Sequence, residues 1–194
     1  MIKYSLTLIF FLFSSLAYAQ FVTTTIQWQK VKPGNASDTI SYDLKRKLTW
    51  DDFKGRPDEN SFAAAITQSG FGYRMSVQNV NGRIKMDITV FCYFNKANSW
   101  VKKGENTNYA LLHEQHHFDI TYINTCLFIQ KLREARFTSA NYASLINQIH
   151  DECFAALEKM QNDYDGQTKN GRITKEQSAW NKKIDKLLAS IITN

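Results

Sequence analysis

Side chains that bind transition metals are scarce in this 194-residue chain, which has three cysteines and four histidines. Cys92, Cys126 and Cys153 are odd in number and lack zinc-ribbon spacing, which excludes both a zinc ribbon and a fully paired disulfide framework. One bridge with a free thiol, or no bridge, stays open. No apolar run beyond the N-terminus is long enough to span a membrane. Internal repeats, low-complexity tracts and long linkers are absent. Lysine and arginine outnumber acids, 24 to 18. They are dispersed, however, with only the short clusters Lys45-Arg46-Lys47 and Lys182-Lys183, so the surface reads as solvated charge and no nucleic-acid partner is expected.

What is present begins with a leader. Met1-Ile2-Lys3 is a short positive start. Leu6 to Leu16 is apolar but for Thr7, Ser14 and Ser15, and Ala17-Tyr18-Ala19 precedes Gln20 as an A-x-A cleavage site. Residues 1–19 are expected to be a cleaved signal peptide, and no cysteine at the cleavage point marks a lipoprotein. The expected product, residues 20–194, is one exported domain, periplasmic or secreted, without stable membrane insertion. Losing Lys3 takes the formal charge from +6 to +5.

Strand patterns come first and helical ones after. Phe21 to Trp28 favours a strand and Lys32-Pro33-Gly34-Asn35 a turn. Phe71, Tyr73, Met75 and Val77 alternate with small or polar residues, as do Ile84, Met86, Ile88, Val90, Cys92 and Phe94. Asn81-Gly82 between them fits a two-residue type I′ turn. That turn pairs Val77 with Met86, Met75 with Ile88, Tyr73 with Val90 and Phe71 with Cys92, so turn and pattern fix one register. From Thr107 to about residue 136 the period becomes helical, with no proline or glycine. A second helix is expected from about Ser139 to Asp165, ended by Gly166 and Asn170-Gly171. Thr174-x-x-Gln177 reads as a capping box opening a third helix, whose packing stripe includes Trp180, Ile184 and Leu188.

Within the first helix lies His113-Glu114-Gln115-His116-His117, an H-E-x-x-H string. Random placement of this composition gives only about 0.003 expected matches. Histidines four apart share a helix face and can reach one Zn²⁺, while the glutamate between them can take a proton from water. His116 could compete as a ligand, but only His117 completes the spacing. A catalytic zinc needs a third protein ligand. If the first two helices form an antiparallel hairpin turning near residue 138, facing residues sum to about 277, so groups near 162 oppose the histidines. Glu158, Asp163 and Asp165 qualify, whereas Glu152 is about 15 Å too far along the axis. Asp119 lies about 240° around the helix from His113 and suits salt bridging or hydrogen bonding rather than ligation. Tyr122 and Tyr164 are candidate oxyanion donors, though core packing is the commoner fate of buried tyrosines. Trp50, Trp100 and Trp180 are expected in the core.

The stretches Leu48-Thr49-Trp50-Asp51-Asp52-Phe53-Lys54-Gly55, Ser99-Trp100-Val101, Leu111 to Ile120 and Tyr164-Asp165-x-x-Thr168 resemble the bacterial domain-of-unknown-function family 922, over about residues 40–181. That family is grouped with zincin-like metallopeptidases. The resemblance implies His113 and His117 as ligands, Glu114 as the base, and Asp165 rather than Glu158 as third ligand. Two positions depart from the family. His116 stands where a small residue is usual, and Asn170 stands where Thr-x-His-Gly is common, so a family position near the site is altered here.

The expectation is therefore an α+β, zincin-like domain: an antiparallel sheet, a long helix hairpin carrying H-E-x-x-H, and a C-terminal helix. Its expected function is zinc-dependent hydrolysis of peptide or protein substrates. The alternative is a non-catalytic zinc-binding envelope or surface protein with a structural or partner-binding role. A metal-free periplasmic binder is a third reading, which needs the motif to be coincidental.

Overall fold

The structure is a computed structural model describing residues 22–29, 38–81 and 83–192. The expected leader and the Lys32–Asn35 turn lie outside the described residues, as does Gly82.

The chain is α+β, with a mixed sheet and three helices. Strands β1 (Val22–Trp28), β2 (Thr39–Ser41), β4 (Ser69–Val80) and β5 (Arg83–Asn95) form the main sheet. Two-residue strands β3 (Ala65–Ile66) and β6 (Trp100–Val101) pair separately. β4 and β5 are antiparallel in the register expected from the alternation, with Met75 opposite Ile88 and Phe71 opposite Cys92. Asn81 takes φ 52°, as the first central residue of a type I′ turn does. On the other edge of β5, β2 is antiparallel but β1 is parallel, Val22 beside Ile84 and Trp28 beside Val90. The sheet is thus mixed rather than antiparallel. Alternation looks the same read in either direction, so it never specified β1's polarity, and the long chain between β1 and β5 permits a parallel pairing.

One face of β5, carrying Met86, Ile88, Val90, Cys92 and Phe94, is fully buried. It packs under α1 (Asn108–Glu134), whose opposite side meets α2 (Tyr142–Thr168) and α3 (Thr174–Ile192). α1 is therefore covered on both sides and buries polar residues as well as apolar ones. Several of these bond back to carbonyls one turn earlier: Thr121 to His117, Asn124 to Ile120 and Thr125 to Thr121. Thr107 caps α1, its hydroxyl accepting from the Ala110 N–H at 3.1 Å.

α2 runs through Gly166, which is not the stop the sequence suggested. It ends where Lys169, Asn170 and Gly171 take successive positive φ of 53°, 52° and 79°. The Thr174–Gln177 capping box does not form, because Gln177 is buried and its side chain is engaged elsewhere. The three cysteines are free thiols. Trp180 is core, while Trp50 and Trp100 are only partly buried. The stretches 48–55 and 97–99 meet at Gly55, where a Cβ would lie 2.7 Å from the Ala97 carbonyl oxygen. Leu48 is tied to α1 by its N–H donating to Gln115 Oε1 at 2.7 Å. Among the described residues no helix is long and apolar enough to cross a membrane.

Candidate metal centre

α1 and α2 are antiparallel with the expected offset, which brings His113 and His117 against Asp165. His113 Nε2 and His117 Nε2 are 3.1 Å apart. Asp165 Oδ1 lies 3.1 Å from the first and 3.0 Å from the second. The three atoms form a nearly equilateral triangle. Around a tetrahedral zinc with bonds of 2.0–2.1 Å, ligand atoms lie about 3.3–3.4 Å apart, so a few tenths of an ångström of spreading fits this triangle to an ion. Among the described residues these are the three ligating side chains that could share a metal.

The other candidates fall elsewhere. Glu158 lines the same cavity but is not part of the triangle. Asp163 turns to Lys159, Oδ2 to Nζ 2.6 Å, and Glu152 pairs with Lys131 at 2.7 Å. His116 points away from the triangle, its Nδ1 against Asp119 Oδ2 at 3.1 Å. Asp119 is almost fully buried and also accepts from Tyr42 Oη at 2.7 Å and Gln115 Nε2 at 2.8 Å, with Lys47 at 3.9 Å. It therefore fastens the 42–48 segment to the back of α1 and does not support the ligands.

Each imidazole of the triangle has a carboxamide behind it. His113 Nδ1 lies 2.8 Å from Gln177 Oε1, and His117 Nδ1 lies 2.6 Å from Gln161 Oε1. Gln161 and Gln177 had no place at the site in the reading of the sequence, and the structure sets both against it. Tyr164 stacks on His113 with ring centroids 4.6 Å apart. Its hydroxyl accepts from Gln177 Nε2 at 2.6 Å and faces the His113 carbonyl at 3.4 Å. That side chain is core and cannot serve as an oxyanion donor. Tyr122 stacks on Tyr42 beside a different cavity, also lined by Trp28, and is likewise removed from the site.

The triangle opens into a cavity of about 730 Å³. Glu114 lines it, with Oε2 buried and without a protein hydrogen-bond partner, while its backbone carbonyl accepts from the Thr67 hydroxyl at 3.1 Å. Phe62, Ile66, Tyr109 and Phe154 add exposed apolar surface around it. Tyr109 donates to the Gly171 carbonyl at 2.6 Å, and Arg172 reaches across to the Phe62 carbonyl at 3.1 Å. Gly171 packs against the His113 ring, where a Cβ would lie 3.4 Å from Nδ1.

Electrostatics suit a cation. Burial opposes ionisation of Asp165, but hydrogen bonds from His113 and His117 and their charge hold its carboxyl below the usual carboxylate range. Burial lowers the His117 pKa, yet the Asp165 hydrogen bond, the Asp165 and Glu114 charges and the Gln161 acceptor outweigh it and raise the value to about 9.

No family model, curated protein or solved structure matches the chain.

Proposed function

We propose that this chain is an exported, zincin-like zinc metallopeptidase of the kind its sequence resembles. The observation that carries the reading is the triangle of His113, His117 and Asp165 opening onto a cavity that Glu114 also lines. A structural zinc is closed by four protein ligands, whereas a catalytic zinc has three and an open position. The nitrogen and carboxylate donors suit Zn²⁺, and their spacing needs little adjustment. When bound, Zn²⁺ would supply Lewis acidity, polarising a carbonyl and acidifying water.

The chain's own residues do the rest. Glu114, free of protein partners at Oε2, takes the proton from the attacking water and returns it to the leaving amine. Tyr109 is the cavity's phenol, one turn before His113. Its hydroxyl can leave the Gly171 carbonyl for a developing oxyanion, the role the sequence had suggested for Tyr122 or Tyr164. Phe62 and Phe154 offer apolar surface to a peptide side chain, and the 62–68 segment offers backbone to an extended strand.

The test is Glu114→Gln. The amide cannot accept a proton, so zinc content and fold should persist while cleavage of denatured proteins or envelope peptides stops. A Glu114→Gln protein as active as wild type would refute the mechanism. If wild type and Asn170→His both bind zinc and neither cleaves anything in a broad screen, the site belongs to a non-catalytic zinc protein.

A further inference from the structure

The two glutamines behind the ligands are wired alike, although they come from different helices. Gln161 on α2 donates from Nε2 to the His117 carbonyl at 2.9 Å and to Thr121 Oγ1 at 3.3 Å. A carbonyl can only accept, so the amide nitrogen must face it. Gln161 Oε1 then faces His117 Nδ1 at 2.6 Å, and an amide oxygen can only accept. His117 Nδ1 therefore carries a proton, and its metal-side lone pair belongs to Nε2. Gln177 on α3 repeats the circuit with one hydroxyl inserted. Its Nε2 donates to Tyr164 Oη at 2.6 Å, which faces the His113 carbonyl, and its Oε1 meets His113 Nδ1 at 2.8 Å. Each glutamine thus closes a loop between the ring and the backbone of one histidine. Asn181 Oδ1, 2.6 Å from Gln177 Nε2, takes that amide's second hydrogen.

We propose that Gln161 and Gln177 are paired positioning residues, which lock both imidazoles in the Nδ1–H form with the Nε2 lone pairs converging on the metal. The inference rests on the metal-site reading above. A neutral amide is the side chain that serves both ends of the circuit, and the acceptor at Nδ1 is the end that orients the ring. A carboxylate would accept from Nδ1 equally well, but it has no hydrogen for the His117 carbonyl or the Tyr164 hydroxyl. It would also add negative charge behind the ring and make the ligand more basic. With glutamines the only anionic ligand is Asp165, and a bound dication keeps net positive charge.

The roles differ in what they fasten. Gln161 ties the ligand helix to α2, which already carries Asp165. Gln177 makes a docked α3 part of the metal centre, since α3 supplies no ligand yet orients His113. Gly171 allows this approach, because the chain passes against the His113 ring just before α3 begins.

The experiment measures Zn²⁺ and Co²⁺ binding to metal-stripped mature chain, with circular dichroism confirming the fold. Gln161→Leu and Gln177→Leu should each lower affinity about 10–100-fold, the usual cost of losing a group that orients a ligand. Gln161→Glu and Gln177→Glu restore the acceptor at Nδ1 and should recover most of that affinity, while the pH at which the Co²⁺ spectrum changes moves upward. A purely structural glutamine would show no such split between leucine and glutamate. Gln177 is buried, so Gln177→Leu could unfold the chain; the half-buried Gln161 then decides. A wild type that binds Zn²⁺ with folded leucine variants within twofold of it overturns this inference alone. A wild type that binds neither metal overturns the metal reading along with it.

Discussion

Loading the metal should release close to one proton at neutral pH. In the metal-free site His117 Nε2 lies 3.0 Å from Asp165 Oδ1, and its pKa is raised to about 9. Gln161 already occupies the Nδ1 proton, so the titrating proton is the one on Nε2, where the metal must bind. Metal binding is then a competition with that proton. At pH 7, two units below that pKa, the competition lowers apparent affinity about 100-fold, or about 2.7 kcal/mol. Asp165 is held below its usual range and contributes no proton. Apparent affinity should therefore rise about tenfold per pH unit from near pH 7 and level off above about pH 9. The sign for the metal-free fold is opposite. A raised histidine pKa gives stability that is complete below the unfolded value of about 6.5 and lost as pH rises through about 9. The assay is titration calorimetry of stripped protein in buffers of different ionisation enthalpy, which counts protons directly. Flat affinity across that window, with no proton released near pH 7, would show that His117 is neutral and that the Asp165 contact is not an ion pair.

Two further outcomes follow from the geometry. Asp165→Ala should weaken zinc binding about 100-fold or more, beyond what a supporting residue costs, whereas Glu158→Ala, in the same cavity but off the triangle, should stay close to wild type; the reverse order in a chelator competition assay would move the third ligand. Asp119→Asn should cost about 1–3 kcal/mol in urea unfolding, because it disturbs the bonds from Tyr42, Gln115 and His116, while zinc stoichiometry stays at wild type. Burial raises the Asp119 pKa, but those partners and Lys47 hold it below the usual range, so its contribution should be present above about pH 3.9 and fade as pH falls through the lower folded value.

The fold was readable where side-chain period carries direction or register. The β4–β5 hairpin needed only alternation and Asn81-Gly82, because a one-residue slip would have turned Met86, Ile88 and Val90 to the wrong face. β1 was readable as a strand and not as a parallel one, since its neighbour lies more than fifty residues away and the pattern is blind to polarity. Of the two stops expected for α2, Asn170-Gly171 marks its end and Gly166 does not. Gly166 is compatible with a helix interior, and no neighbour approaches the place its Cβ would fill. The left-handed turn begins one residue earlier, at Lys169, and runs through Asn170 and Gly171, so its first residue is not the glycine that such a cap usually recruits.

The grouping of the candidate residues was legible because side chains that could share one metal must lie on one helix face or oppose it. Four-residue spacing chose His113 and His117, and hairpin arithmetic left three acids. Helical phase separates those acids further: Glu158 and Asp165 are seven apart on one face, while Asp163 lies off it and pairs with Lys159. The same arithmetic pointed at Gln161, four residues before Asp165 and directly across from His117, yet an amide can be polar surface as easily as a support. Gln177 was disguised more fully. Three residues after a threonine at a helix start it matches a capping box, but its side chain is buried against His113 and Tyr164 instead. The local rule failed where a longer-range partner offered the same hydrogen bonds in a buried place. The His113 ring, whose Nδ1 lies 2.8 Å from Gln177 Oε1, is such a partner.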